Sequence, residues 1–208
     1  MEVKKIIVAG SGVMGSGIAQ VCALNNYEVI LFDIREESLQ KAQTSIKKNL
    51  TKAVQIGKAT EELKEKALSN ISYTNKLSSC IGDLLIEAIV EKLDIKVNLF
   101  NELLKTNPNI ILASNTTSIP ITKISAAVDK PKQVIGIHFF NPAHIMKLVE
   151  VIQGAHTPDQ LKDFGVSFVK SVGKTPIVAK DAPGFIVNRV ARHFYVESLK
   201  VLEENVAS

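Results

Sequence analysis

The stretch Lys5-Ile6-Ile7-Val8-Ala9-Gly10-Ser11-Gly12-Val13-Met14-Gly15 decides the fold. Its first half is a run of branched apolar residues, the composition of a strand buried on both faces. In its second half Gly10 permits a tight turn, Gly12 keeps a Cβ away from a bound pyrophosphate, and Gly15 lets a helix pack closely on the strand. Val13 and Met14 open that helix, whose first N–H groups and positive dipole end face the same turn. Asp33 closes the next apolar run, Glu28 to Phe32, at the position from which a carboxylate accepts hydrogen bonds from an adenosine ribose. A carboxylate there favours NAD, because a 2′-phosphate would meet like charge. Arg35 offsets that charge in part and leaves NADP open.

Outward from this unit, short apolar runs alternate with longer helical stretches, the pattern of a mainly parallel sheet with helices on both faces. Strands are expected at Lys5–Ala9, Glu28–Phe32, Leu84–Ile89, Ile110–Ser114 and Val134–His138, with Lys147–Ile152 and Thr175–Ala179 extending one side. Helices are expected at Val13–Asn25, Glu36–Ile56, Thr60–Leu68, Glu91–Leu104 and Pro158–Val172. Asp181, Pro183 and Gly184 then break the chain before a last helix, Phe185–Asn205. Its apolar residues Val187, Val190, Ala191, Phe194, Val201 and Leu202 recur at helical spacing, so one face is expected to need a partner from a further domain or another subunit.

The bulk properties narrow the class. With 208 residues, 46% hydrophobic and 22% charged, the chain is long enough for a full core and too apolar for disorder. Ile6 to Tyr27 carries no charge, but four glycines with Gln20, Asn25 and Asn26 interrupt it, so no membrane segment is expected. Cys22 and Cys80 lack metal-type spacing and read as free thiols in a reducing, cytoplasmic compartment. A formal charge of +4 is too small to argue for nucleic acid. That charge is concentrated: Lys41, Lys47, Lys48, Lys52 and Lys58 occur with no acid between them, and Lys41, Lys48 and Lys52 share one side of a helix. A solvated face and a dock for a small polyanion are both open readings; no aromatic residue interleaves to stack on bases.

Among the histidines, only His138 ends an apolar strand at the edge where open α/β sheets place their chemistry. Glu150 lies inside the run Leu148-Val149-Glu150-Val151-Ile152, where a lone carboxylate is costly unless paired. Paired with that acid, the imidazole would hold one tautomer and be placed to move a proton. A core histidine satisfied by backbone is an equal reading of the spacing. The cluster Ser114-Asn115-Thr116-Thr117-Ser118 reads either as a capped turn into Pro120 or as a hydroxyl reaching the same site. Asn188 is expected on the inner stripe of the last helix, where substrate contact and structural pairing both stay open.

Six segments, taken together and in order, resemble the 3-hydroxyacyl-CoA dehydrogenase family. They are Gly10–Gly15, Glu87–Glu91, Ser114–Ser118, His138–Pro142, Lys147–Val151 and Asp181–Arg189. The resemblance implies a Rossmann-type domain over residues 1–182, with 183–208 forming the first helix of a helical C-terminal domain. It implies reversible, NAD-dependent oxidation of a (3S)-3-hydroxyacyl-CoA of short chain. His138 matches the family's acid/base and Glu150 its orienting carboxylate. Asn188 and Thr117 match substrate contacts, and Glu91, Lys96, Asn115 and Asn141 match positions around the cofactor. The lysine segment, with Lys48 and Lys52 as candidates, matches the insertion that meets the CoA tail. Thr117 departs from the usual serine, keeping the hydroxyl and adding a methyl. The family continues into a helical domain that closes over the acyl-CoA and makes a homodimer, so that domain or a partner chain is expected here. A non-catalytic dinucleotide-binding module, and a dehydrogenase acting on a hydroxy acid without CoA, are the alternatives.

Overall fold

The computed structural model describes residues 2–206. It contains one eight-stranded sheet: β1 (Lys5–Ala9), β2 (Glu28–Phe32), β3 (Ile71–Thr74), β4 (Leu84–Glu87), β5 (Ile111–Ser114), β6 (Val134–Phe139), β7 (Leu148–Gln153) and β8 (Thr175–Lys180). The spatial order is β3-β2-β1-β4-β5-β6-β7-β8. β1 to β6 pair in parallel, β7 runs antiparallel to β6, and β8 is parallel to β7. The order reverses between β1 and β4, the crevice where doubly wound sheets bind ligands. This is the expected mainly parallel sheet, extended on one side by β7 and β8.

The alternation within each strand divides the core. Ile6 and Val8 join a cluster on one face, while Ile7 and Ala9 join another on the opposite face. The first face is covered by α1 (Val13–Leu24), α2 (Glu36–Gln55), α3 (Glu61–Ser69) and α6 (Asp159–Ser171); the second by α4 (Leu93–Thr106) and α5 (Ile121–Ala126). In α2 only Leu39, Ala42, Ile46 and Leu50 are buried, at the spacing of one helical stripe, so Lys41, Lys48 and Lys52 stand on its solvent side. Thr60 caps α3 by accepting from the Leu63 N–H at 3.1 Å. β3 and α5 were not anticipated; both are too short for periodicity to register.

The last helix, α7 (Val187–Glu203), contains no buried residue. Val190, Phe194 and Leu202 are 67%, 75% and 59% exposed. The expected apolar stripe is present and uncovered by the described residues. Asn188 is exposed with the rest of this open helix; periodicity locates a stripe but not what covers it. Among the described residues no helix is long and apolar enough to cross a membrane, and Cys22 and Cys80 are free and buried.

Candidate active site

The glycine turn is built for close approach. Gly10 has φ +94°, and a Cβ there would lie 2.5 Å from the Ala88 carbonyl oxygen. A Cβ on Gly15 would lie 1.6 Å from the Gly10 carbonyl oxygen, so the turn closes only with glycine at both positions. At Gly12 the same atom would meet nothing within 4 Å. No protein packing demands that glycine, and the open space beside it is where a ligand backbone would run. No side chain caps the first turn of α1, which leaves its N–H groups available to phosphate oxygens. Met14 is half-buried against the core, whereas Val13 is 71% exposed beside the turn.

Two cavities flank this turn. One, about 780 Å³, has mainly apolar walls, including Ile34, Leu77, Ile89 and Leu99, with Asp33, Arg35, Asn98 and Glu102 as its charged and polar members. Asp33 Oδ2 accepts from the Ser11 N–H at 2.9 Å and hydroxyl at 2.8 Å, and Oδ1 accepts from the Arg35 N–H at 3.0 Å. Burial alone would raise this carboxyl, but those donors hold it below its ordinary value, so it stays an ionised acceptor. The other cavity, about 490 Å³, opens among α1, α2 and the 141–144 segment after β6, and several polar side chains enter it. Its lining includes Gly12, Val13, Arg35, Ser38, Lys41, Ser45, Asn49, Asn141 and His144. Of the lysine face, only Lys41 reaches it; Lys48 and Lys52 are exposed on the same helix and line neither cavity.

At the end of β6 the antiparallel register sets His138 directly opposite Glu150 on β7. Nδ1 of His138 lies 2.7 Å from Glu150 Oε2, with the two side chains 3% and 0% exposed. Glu150 Oε1 accepts from the N–H groups of Ile186 and Val187, both at 2.9 Å, at the start of α7. Burial opposes charge on Glu150, yet the imidazole and these two N–H groups hold its carboxyl below the ordinary value. With Nδ1–H donated to the carboxylate, Nε2 is the ring nitrogen left to exchange a proton; it makes no hydrogen bond among the described residues. Phe140 and Phe185 flank the ring at centroid distances of 4.6 and 5.8 Å.

Between the glycine turn and this histidine lies an ionic cluster at the ends of β4 and β5. Lys96 Nζ is 2.5 Å from Glu87 Oε1 and 3.0 Å from Glu91 Oε2. Glu91 Oε1 gathers the loop after β5, accepting from the Thr117 and Ser118 N–H groups, each at 3.1 Å, and from the hydroxyls of Thr116 and Ser118. Burial would raise its carboxyl, but the Thr116 hydroxyl and Lys96 bring it down to about 2. Asn115 Oδ1 accepts from the Phe139 N–H at 2.8 Å and so ties this loop to the histidine strand. Thr117 is exposed, and its hydroxyl has no hydrogen bond among the described residues. Glu87 and Ser11 stand inside motifs read from the sequence and Ser114 in its hydroxyl cluster, but their partners lie too far along the chain for any local spacing to reveal them.

An open α/β sheet with a dinucleotide turn at its switch point, and a histidine held by a buried carboxylate on the same edge, defines a nucleotide-dependent oxidoreductase domain. The profile of 3-hydroxyacyl-CoA dehydrogenase, NAD binding domain, matches residues 5–182. The chain belongs to the 3-hydroxyacyl-CoA dehydrogenase family and carries its NAD-binding domain. It is similar to a 3-hydroxyadipyl-CoA dehydrogenase of Escherichia coli, 42% identical, spanning 100% of this chain and 44% of that protein. A 3-hydroxybutyryl-CoA dehydrogenase of Bradyrhizobium diazoefficiens is also 42% identical, over 99% of this chain and 71% of its own length. The crystal structure of (S)-3-hydroxybutyryl-CoA dehydrogenase from Ralstonia eutropha superposes with a TM-score of 0.94 at 36% identity, covering 100% of this chain and 74% of that one. The chain thus spans 44% of one relative's length and about three quarters of the others'.

Proposed function

We propose that this chain supplies the cofactor and proton-transfer half of a short-chain (3S)-3-hydroxyacyl-CoA dehydrogenase. The observation that carries the reading is the buried contact of 2.7 Å between His138 Nδ1 and Glu150 Oε2, on the sheet edge that also holds the glycine turn. NAD, when bound, accepts the hydride that leaves C3 of the substrate. Its pyrophosphate is assigned to Gly10, Gly12 and the first turn of α1, and its adenosine to Asp33 and the larger cavity. Glu91, Lys96, Asn115 and Asn141 are assigned to the remainder of the cofactor site.

In the oxidative direction His138 Nε2 takes the C3 hydroxyl proton while the C3–O bond becomes a carbonyl. The imidazolium so formed sits against the Glu150 carboxylate, which stabilises the charge in a dry site. In reduction the same nitrogen returns the proton to the carbonyl oxygen. Thr117 and Asn188 are the assigned substrate contacts. The polyanionic CoA tail is assigned to the smaller cavity with Lys41, and its outer phosphate to Lys48 and Lys52, where lysines act as point charges on mobile stems. The relatives are longer than this chain. In such a form the apolar stripe of α7 would be covered by a further helical domain or a partner chain, within a homodimeric cytoplasmic enzyme.

The test is an assay following NADH absorbance with acetoacetyl-CoA, run with this chain and with a form extended by a relative's C-terminal helices. Turnover is expected in the extended form, with competition by free CoA. His138→Gln is expected to keep NADH binding and lose about 100-fold or more in rate. Undiminished turnover in that variant removes His138 from the mechanism, and failure of CoA to compete removes the acyl-CoA assignment.

A further inference from the structure

We propose that Glu87, a residue outside the proton-transfer pair, is a positioning residue for the nicotinamide half of the cofactor. It would act by holding in register the three segments that separate the adenosine cavity from His138. This rests on the dinucleotide reading above. Glu87 ends β4 and is 0% exposed. Its Oε1 accepts from the Ile89 N–H at 2.8 Å and from Lys96 Nζ at 2.5 Å, and Oε2 accepts from the Ser114 hydroxyl at 2.6 Å. One carboxylate therefore ties together the loop after β4, the first turns of α4, and the end of β5.

Each tie leads to a wall of the site. Ile89 lines the larger cavity together with Ala88 and Val90. Lys96, only 1% exposed, is shared with Glu91, whose other oxygen folds the 116–118 loop around itself. Ser114 stands immediately before Asn115, which holds the Phe139 N–H beside His138. Strand order places Asp33 after β2, the glycine turn after β1, then Glu87, then Ser114, then His138 on β6. A dinucleotide lying from Asp33 toward His138 crosses the ends of β4 and β5, so the ties to Lys96 and Ser114 lie under its second half; the tie to the Ile89 N–H borders the adenosine cavity, and a glutamine at 87 keeps an oxygen to accept from it. The charge itself matters. Two carboxylates share one buried ammonium, and neutralising Glu87 leaves Lys96 with Glu91 alone, drawing Glu91 inward from the loop N–H groups.

Glu87→Gln keeps the shape and removes the charge. Fluorescence titration of the variant with NADH is expected to show a Kd raised about tenfold, the loss of one hydrogen bond to a charged group, while ADP-ribose binds within about twofold of the parent chain. Equal weakening of both ligands would show mere structural damage and overturn the proposal, as would an unchanged NADH Kd. Should Glu87→Gln fail to fold, Ser114→Ala decides: about a threefold rise for NADH alone supports the proposal, and parity with the parent chain overturns it. A parent chain that binds neither ligand would instead overturn the dinucleotide reading beneath it.

Discussion

The sheet around Glu150 and the helix that starts beside it meet opposite kinds of environment. Toward the sheet, Glu150 is wholly enclosed, and both of its oxygens are engaged by His138, Ile186 and Val187. A few residues beyond those N–H groups, α7 leaves the body of the molecule and buries nothing. The comparison teaches where specificity is stored: a polar contact inside the sheet is over-determined by the β6–β7 register, while an apolar stripe of good helical spacing has no geometry until something covers it.

The sharpest break of this contrast is Glu150→Ala, which leaves an imidazole and two N–H groups without an acceptor. A loss of about 3–5 kcal/mol is expected in urea unfolding, the cost of breaking a buried pair. A loss below about 1 kcal/mol would mean that the pair is solvated. Next comes Gly15→Ala, whose methyl has no space beside the Gly10 carbonyl. It is expected to cost about 3 kcal/mol and to abolish NADH binding; normal binding would show that the turn can relax.

Acid titrates the same contrast. Glu150 and Glu91 both lie below their ordinary value of 4.5 in the folded state, Glu91 at about 2. A depressed carboxyl contributes stability that is full above the ordinary value and is lost as pH falls through the folded one. Stability measured by urea unfolding is expected to fall as pH drops from about 4.5 toward about 2, and less steeply in Glu150→Gln. The smallest effect is expected on the open helix. Phe194→Gln should change stability by within about 0.5 kcal/mol, and a loss near 2 kcal/mol would show that α7 is covered in solution.

How much of this was legible in the sequence follows the same division. The glycine turn, Asp33 and most sheet strands announce themselves because their constraints are local: a φ only glycine adopts readily, an apolar run, an acid at its end. His138 with Glu150 was legible as a possibility, since an isolated acid in an apolar strand needs a partner, but only the antiparallel register sets them face to face. The Glu87 cluster was not legible. Residues 87, 89, 96 and 114 meet through three separate elements, and no spacing along the chain encodes that meeting. What α7 packs against was not legible for the converse reason, because periodicity gives a helix a direction without giving it a neighbour.

The carboxylate at 150 has one oxygen on the imidazole and the other on the opening N–H groups of α7. The first turn of α7 and the imidazole of His138 therefore share a single anchor, so a change that shifts the start of this helix reaches the ring through one carboxylate.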